Sequence, residues 1–530
     1  MAADPYAIVN TTNYKHPRDP NLNCVHHTLE YDTNGKPVMR VSIGSDININ
    51  GDVNIPGTVS LSESTLAALE STNTTVSGTV NLSDTTLSAL ENINANVSGT
   101  VTANQGTTPW LTTQTPVPES TDAFGRLRVS DPFTIADYHH VSGENPEMIL
   151  KTNGSGSGTA NVNTSAYTLS VGTGNGDYAI HQSKMYHHYL PGKSQLVNAS
   201  FLFGTHRNNT VKRTGYFDDL NGVFFEQDGS GTLYWVERKT LNGTTTENRI
   251  SQLNWNKDTC NTSLTNPTTG KAGSWTLDIT KTQLIYLDFQ WLGVGRIRVG
   301  FVHNGNWIIA HEFYHSNTLA TVYWKQPSLP IRCEIRNTGV AVGTASMDQI
   351  CSTVMSEGGY AETGLVFQQK SSLLGRTIQN GGNSICLIAI RLKNTFNTDL
   401  VRGIVRAQQA SMLITNAPVY FELYRFDSHT SITGGTWISQ SDDSIVEYNT
   451  TATGFSGGLA ISGQFLEAAA SKGTTTAGAI INPTSNKRGF ISQNYDSTDS
   501  ACYAIIVTAL GNQHNLAISA FAALQWSETR

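Results

Sequence analysis

The chain has 530 residues, a formal net charge of −7 and only 14% charged residues, well under the roughly 25% of an ordinary soluble domain. Its 38% apolar content argues against overall disorder, and no basic block is present to hold nucleic acid. The length exceeds what one core supports, so about two to four domains are expected.

Residues 1–40 are polar and irregular in pattern, with Pro5, Pro17, Pro20 and Pro37, and read as an N-terminal attachment arm. MAADPYAIVN has no charged stretch followed by an apolar run, so it is not a signal peptide. The longest apolar stretch, near CYAIIVTAL, is far too short for a membrane span, so no membrane insertion is expected. The six cysteines (Cys24, Cys260, Cys333, Cys351, Cys386, Cys502) form no CxxC pair and read as free thiols of a protein made in a reducing cytosol.

Residues 41–104 read as a repeat-containing stalk. Val41, Ile43, Ile47, Ile49, Val53, Ile55, Val59 and Leu61 all fall on odd positions, an unbroken β alternation. A hairpin at Asn50-Gly51 would set isoleucines opposite Asp52 and Asn54, so the register argues for one extended run of up to about 70 Å. A unit of 21 residues then occurs twice, marked by Gly57, Gly78 and Gly99. Ser62 and Ser83 are placed to cap short helices. Leu66, Leu69, Asn73 and Val76, copied as Leu87, Leu90, Asn94 and Val97, are spaced 3-4-3. That is an a–d–a–d seam with asparagine at the second a position, a device that fixes register between chains. Helices so short need identical neighbours in water. The seam therefore points to an intertwined homotrimer, against the plainer alternative of a peripheral linker with an accidental duplication.

Residues 105–122 contain three prolines and no periodicity, which marks a linker or collar. Beyond them, residues 123–357 and 358–530 read as two β-sandwich domains of jelly-roll-like character. A hairpin is expected around Asp228-Gly229-Ser230-Gly231 and another at Asn304-Gly305. NSICLIAIRLKN, APVYFELYRFD and ACYAIIVTAL supply later strands, and SGQFLEAAASKG (462–473) is the best late helix candidate.

Motifs with chemical meaning are few. HEFYH (311–315) matches the H-E-x-x-H zinc pattern. That chemistry needs both imidazoles on one helical face, whereas a strand sets His311 and His315 about 13 Å apart and turns Glu312 away. GVGRIRVG (293–300) lacks a dinucleotide fingerprint, and FDDLNG (217–222) lacks the EF-hand spacing. His26-His27, His139-His140 and His187-His188 alternate faces on a strand and do not chelate as pairs. Asp218, Asp219, Glu226, Asp288 and Glu312 are the acids set among aromatics, and spacing alone brings no two of them together. Tyr216, Trp235, Trp255 and Trp291 suit sugar stacking but are more often sandwich core. No catalytic, cofactor-binding or metal residue is assigned, and no cofactor is expected.

TDAFGRLRVSDPFTIADYHH (121–140) resembles a phrase in virion structural proteins of tailed bacteriophages, cyanophages among them. The segment 277–315, LDITKTQLIYLDFQWLGVGRIRVGFVHNGNWIIAHEFYH, and SLPIRCEIRNTG (328–339) are similar to phrases in the same proteins. The resemblance implies a particle protein made in the host cytoplasm and released by lysis. It names no catalytic residue and no position in the particle. The expectation is a mainly β, non-enzymatic, homotrimeric tail fibre, spike or baseplate part. Its N-terminal part would attach to other virion proteins, and its head would meet a host cell-surface glycan or protein. The alternatives are a capsid decoration protein that binds only virion proteins, or a glycan-hydrolysing tailspike.

Overall fold

The computed structural model describes residues 28–31, 37–40, 120–129, 131–359, 364–378, 382–415, 418–466, 489–510 and 518–530. Residues 1–113 and 114–530 are separate units. In the first, Thr28–Tyr31 pairs antiparallel with Pro37–Arg40, so the arm is not wholly irregular as its composition implies. The alternating run, both repeats and the entire seam from Leu66 to Val97 lie outside the described residues.

The second unit is mainly β and holds two sandwiches. In the first sandwich a seven-stranded sheet runs in the order Thr244–Ser251, Leu233–Leu241, Gly222–Gln227, Thr210–Phe217, Ile331–Asn337, Tyr178–Ser183, Met148–Asn153. An eight-stranded sheet faces it, in the order Asn306–Phe313, Ile297–His303, Gln283–Phe289, Gln195–Leu202, Ala345–Ser356, Ala166–Val171, Ser157–Asn161, with Phe133–His139 also on Ala345–Ser356. Alternation decides which side chains meet. Val197, Ala199 and Phe201 point inward from one sheet, and Val223, Phe225 and Trp235 from the other. Their centre is aromatic. Phe225 packs on Trp235 at 5.0 Å between centroids and edge-on to Phe301 at 5.2 Å, as ring quadrupoles favour.

Turn chemistry holds the expected hairpins. Gln227 pairs with Leu233, and Asp228 Oδ1 accepts from the backbone N–H of both Ser230 and Thr232 at 2.9 Å. His303 pairs with Asn306 because Asn304 (φ 51°) and Gly305 (φ 81°) take the left-handed geometry of a two-residue turn.

The second sandwich sets Leu365–Lys370, Arg376–Ile378, Ile404–Ile414 and Ile518–Thr529 against a six-stranded sheet. That sheet runs Ile438–Ser439, Val446–Asn449, Ser384–Leu392, Cys502–Ala509, Val419–Phe426, Leu459–Leu466. Val405, Leu524 and Trp526 from the smaller sheet close its core over Ile388, Phe421 and Ile505. Of the helix expected over 462–473, residues 462–466 are corrected, since they continue the strand Leu459–Leu466 and pair with Val419–Phe426, and residues 467–473 lie outside the described residues. Cross-strand pairing outweighs the weak helix preference of SGQFL there. Ile404 and Phe490, from the second half of the chain, are buried in the first core, so the two sandwiches share apolar contacts. The five described cysteines are free thiols.

Candidate functional site

HEFYH lies at and beyond the end of the edge strand Asn306–Phe313. His311 pairs with Val299, an inward position, and Glu312 with Arg298, an outward one. The two imidazoles have different partners. His311 Nδ1 accepts the N–H of Asn256 at 3.1 Å, and its ring meets Phe313 edge-on at 4.6 Å. His315 donates from Nδ1 to the Gly295 carbonyl, stacks on Tyr323 at 4.0 Å, and turns Nε2 toward Glu237 Oε1 at 2.8 Å. Glu312 is held by Lys257 at 3.0 Å, Arg296 at 3.3 Å and the Tyr314 hydroxyl. Among the described residues no three His, Cys, Asp or Glu side chains are arranged to hold a metal ion.

Around this motif is a cleft of about 570 Å³, within the size range of ligand pockets. It forms where the edge strands of the two sheets, Thr244–Ser251 and Asn306–Phe313, meet the end of Leu233–Leu241. Its walls combine Glu237, Glu247, Asn248, His311, Tyr314 and His315. Burial pushes His311 down to about 4, so the ring is neutral at neutral pH. With Nδ1 accepting, its proton is on Nε2. Burial works against the Glu312 carboxylate, yet Tyr314, Lys257 and Arg296 hold it below the usual range. The sequence signal for this site is HEFYH itself, which marks the place but not the chemistry.

The acids singled out in the sequence occupy distinct settings. Asp218 Oδ1 closes a turn by accepting the N–H groups of Leu220 and Asn221, each at 2.8 Å. Asp219 meets Arg332 at 2.9 Å and the Tyr495 hydroxyl. Glu226, fully buried, is bound by Arg213 at 2.7 Å and by Arg249. The register sets Glu226, Arg213 and Glu334 side by side across the outer face of the seven-stranded sheet. Glu334 was not singled out in the sequence. It is bonded by Arg332 at 2.6 Å, Arg336 at 3.0 Å and Arg213 at 3.3 Å. Its signal was available in RCEIR, where alternate residues share one face. Glu334 is fully desolvated, yet Arg332 and Arg213 hold its carboxyl far below the usual range. Asp219 is held down in the same way, by Arg332 and Tyr495 against its burial.

Asp288 belongs to another cluster, which composition did not reveal. It accepts from Ser194 Oγ at 2.6 Å and from Arg128 at 2.8 Å, and it pairs with Arg298. Arg128 also bonds Glu357 at 2.7 Å and the Thr121 carbonyl at 2.9 Å. Arg298 reaches that same carbonyl at 2.6 Å. Residues 120–129 are thereby strapped to the eight-stranded sheet.

Tyr216, Trp235 and Trp255 are core side chains with no exposed surface. Trp291 is partly buried, its Nε1 bonded to the Trp324 carbonyl at 3.1 Å. His140 is buried against Tyr167 and His181. His187 donates from Nδ1 to the Leu329 carbonyl and accepts from the Tyr138 hydroxyl, each at 2.8 Å. His26 and His27 lie outside the described residues.

No protein-family model matches the chain, and no curated protein matches it in sequence. Among solved structures it is similar to a glycoside hydrolase family protein from Mycobacterium thermorestibile, with 10% identity, 42% of this chain and 99% of that chain covered, and a TM-score of 0.28. A glycosyl hydrolase family 16 protein from Mycobacterium smegmatis gives the same identity, coverage and score. A protein of unknown function from Shewanella oneidensis has 9% identity over 46% of this chain and 94% of its own, with a TM-score of 0.28.

Proposed function

We propose that the chain is a structural and binding component of a tailed-bacteriophage particle. It is a homotrimeric fibre or spike that attaches by its N-terminal part and presents the paired sandwiches to a host surface or to other virion proteins. The observation that carries the binding role over hydrolysis is the state of the acids. Glycoside hydrolysis needs one carboxyl whose pKa is raised so that it holds a proton for the leaving group. Asp219, Glu312 and Glu334 are all held below the usual range, Glu226 and Asp288 are bound by two guanidinium groups each, and Glu357, which burial raises, is bonded by Arg128 at 2.7 Å within the strap. These are the bonds of a rigid scaffold.

The phrase that resembles phage virion proteins supports the same reading. Asp122, Arg126 and Arg128 of that phrase bond within the strap on the eight-stranded sheet. Force from a tethered N-terminal part would pass into the sandwich through this strap.

Light scattering after size exclusion tests the assembly. The full chain is expected near three chains in mass, and a fragment starting at Gln114 is expected to lose that mass or become labile. A stable full-length monomer overturns the fibre. Release of reducing ends from host envelope polysaccharide overturns the non-enzymatic role. A trimer that adsorbs to no host cell and binds purified virions leaves the decoration role.

A further inference from the structure

We propose that the cleft at the open edge of the first sandwich binds a saccharide through its hydroxyl groups. This rests on the reading of the chain as a binding protein and adds the place and the ligand class.

Three acidic residues line the cleft: Glu237 is on the inward face of its strand, and Glu247 and Glu312 are on the outer faces of their sheets, each bound by a cation. Glu247 takes both bonds from Arg238 on Oε1, at 3.0 and 2.8 Å. Glu312 is bound by Lys257 and Arg296. Glu237 turns Oε1 to His315 Nε2 at 2.8 Å. Glu247 and Glu312 are therefore compensated and fix the two strand edges, and Glu237 is the inward acid. In Glu237, on the inward face of its strand, the contact goes to Oε1, which leaves Oε2 to accept from a ligand hydroxyl. Such an acceptor is ordered in advance, so little entropy is lost when a hydroxyl binds.

Donors stand among the acceptors. His311 has its Nδ1 occupied by the Asn256 N–H, which sets the ring's one proton on Nε2. Lys239 and Asn248 also line the cleft. Tyr314 is 52% exposed there, and its hydroxyl is tied to Glu312, so the ring is an oriented apolar plate. An inward carboxylate, fixed donors and one oriented aromatic plate match a ligand with several hydroxyls and an apolar C–H face. A free inorganic ion or an apolar ligand would leave most of these groups unmatched.

The test uses the full chain on a printed array of neutral, amino, uronic-acid and sialylated glycans, followed by calorimetric titration of the best binder. Tyr314→Ala and Asn248→Ala replace exposed side chains of the cleft, and Phe465→Ala, on the second sandwich, serves as control. Unchanged melting temperatures establish that the variants fold. Tyr314→Ala is expected to weaken binding at least tenfold and Asn248→Ala several-fold, with Phe465→Ala unchanged. Glycan binding unaffected by both cleft variants overturns the site. No glycan signal from protein that still adsorbs to host cells overturns the saccharide and leaves the binding role standing. Loss of both signals in a trimeric protein removes host binding as well.

Discussion

Arg128 bonds Asp288 across 160 positions of sequence, with Nη2 2.8 Å from Oδ2. The aspartate side chain is fully buried and the arginine is 14% exposed. The pair joins a short segment that precedes the first sandwich strand to a strand of the eight-stranded sheet, and it is the central bond of the strap.

Truncating Arg128 leaves Glu357 without its guanidinium partner and Asp288 with one of two. Removal of one member of a buried pair costs about 3 kcal/mol or more. Arg128→Ala is therefore expected to lower the stability of the 114–530 unit by about 3 kcal/mol in urea titrations. Arg126→Ala removes the pair with Asp122 from a side chain that is 54% exposed, and is expected to cost under about 1 kcal/mol. Equal small losses would show that the strap contributes no more than a surface pair.

The buried histidines set an acid limit. Burial pushes His181 down to about 3 and His187 and His311 down to about 4. Each is lowered in the folded state, so the unfolded chain takes up the proton first. Their contribution is complete above the unfolded value of about 6.5 and is lost as pH falls toward the folded values. The slope is about 1.4 kcal/mol per pH unit for each histidine, or about 4 for the three, between about pH 6 and 4. Urea titrations at half-unit steps from pH 7 to 4 measure it, and His181→Gln is expected to remove about a third. A flat profile from pH 6 to 5 would mean that these rings are protonated in the folded state.

Local patterns were legible, and distant pairings were not. Asp228–Gly231 and Asn304-Gly305 announce their hairpins because turn geometry is fixed by the residues in the turn. The continuous apolar run in NSICLIAIRLKN and the alternation of APVYFELYRFD likewise announce Ser384–Leu392 and Val419–Phe426. Nothing local says that Ala345–Ser356 lies between Gln195–Leu202 on one side and Ala166–Val171 with Phe133–His139 on the other. The same limit hid the site. The acid candidates were chosen for their aromatic neighbours in sequence, but their partners Arg128, Arg298, Arg213 and Arg332 are set by sheet register and by a strap from elsewhere. His311–Phe313 lie on the expected strand but Tyr314 and His315 lie past its end, and Glu237, which His315 faces, comes from the other sheet. In SGQFL the pattern pointed to helix, and pairing with Val419–Phe426 decided for strand.

The buried tryptophans separate a packing role from a sugar-stacking one. Trp235 lies between Phe225, at 5.0 Å, and Phe301, at 5.7 Å, with no exposed surface. Trp235→Ala is expected to destabilise the first sandwich by about 3–5 kcal/mol, read as a fall in urea midpoint with an unchanged slope. A fully stable variant with weakened glycan binding would place this ring in a binding face.

Phe490 makes the two sandwiches depend on each other. It is 2% exposed and packs in the first core, while its carbonyl accepts from Arg425 Nε of the second sandwich at 2.9 Å. Ile404 is buried in the same core, and Tyr495 bonds Asp219 beside Arg332. A core held from both sides does not lose one sandwich without exposing apolar surface on the other. The 114–530 fragment is therefore expected to melt in a single calorimetric transition whose van't Hoff and calorimetric enthalpies agree. Phe490→Ala removes the ring from that junction and is expected to cost about 3–5 kcal/mol. It should also broaden the transition or split it in two, the second sandwich keeping its own core of Ile388, Phe421, Leu524 and Trp526. Two resolved transitions in the unaltered fragment would show that the shared contacts are too weak to couple the sandwiches, which would then act as independent domains.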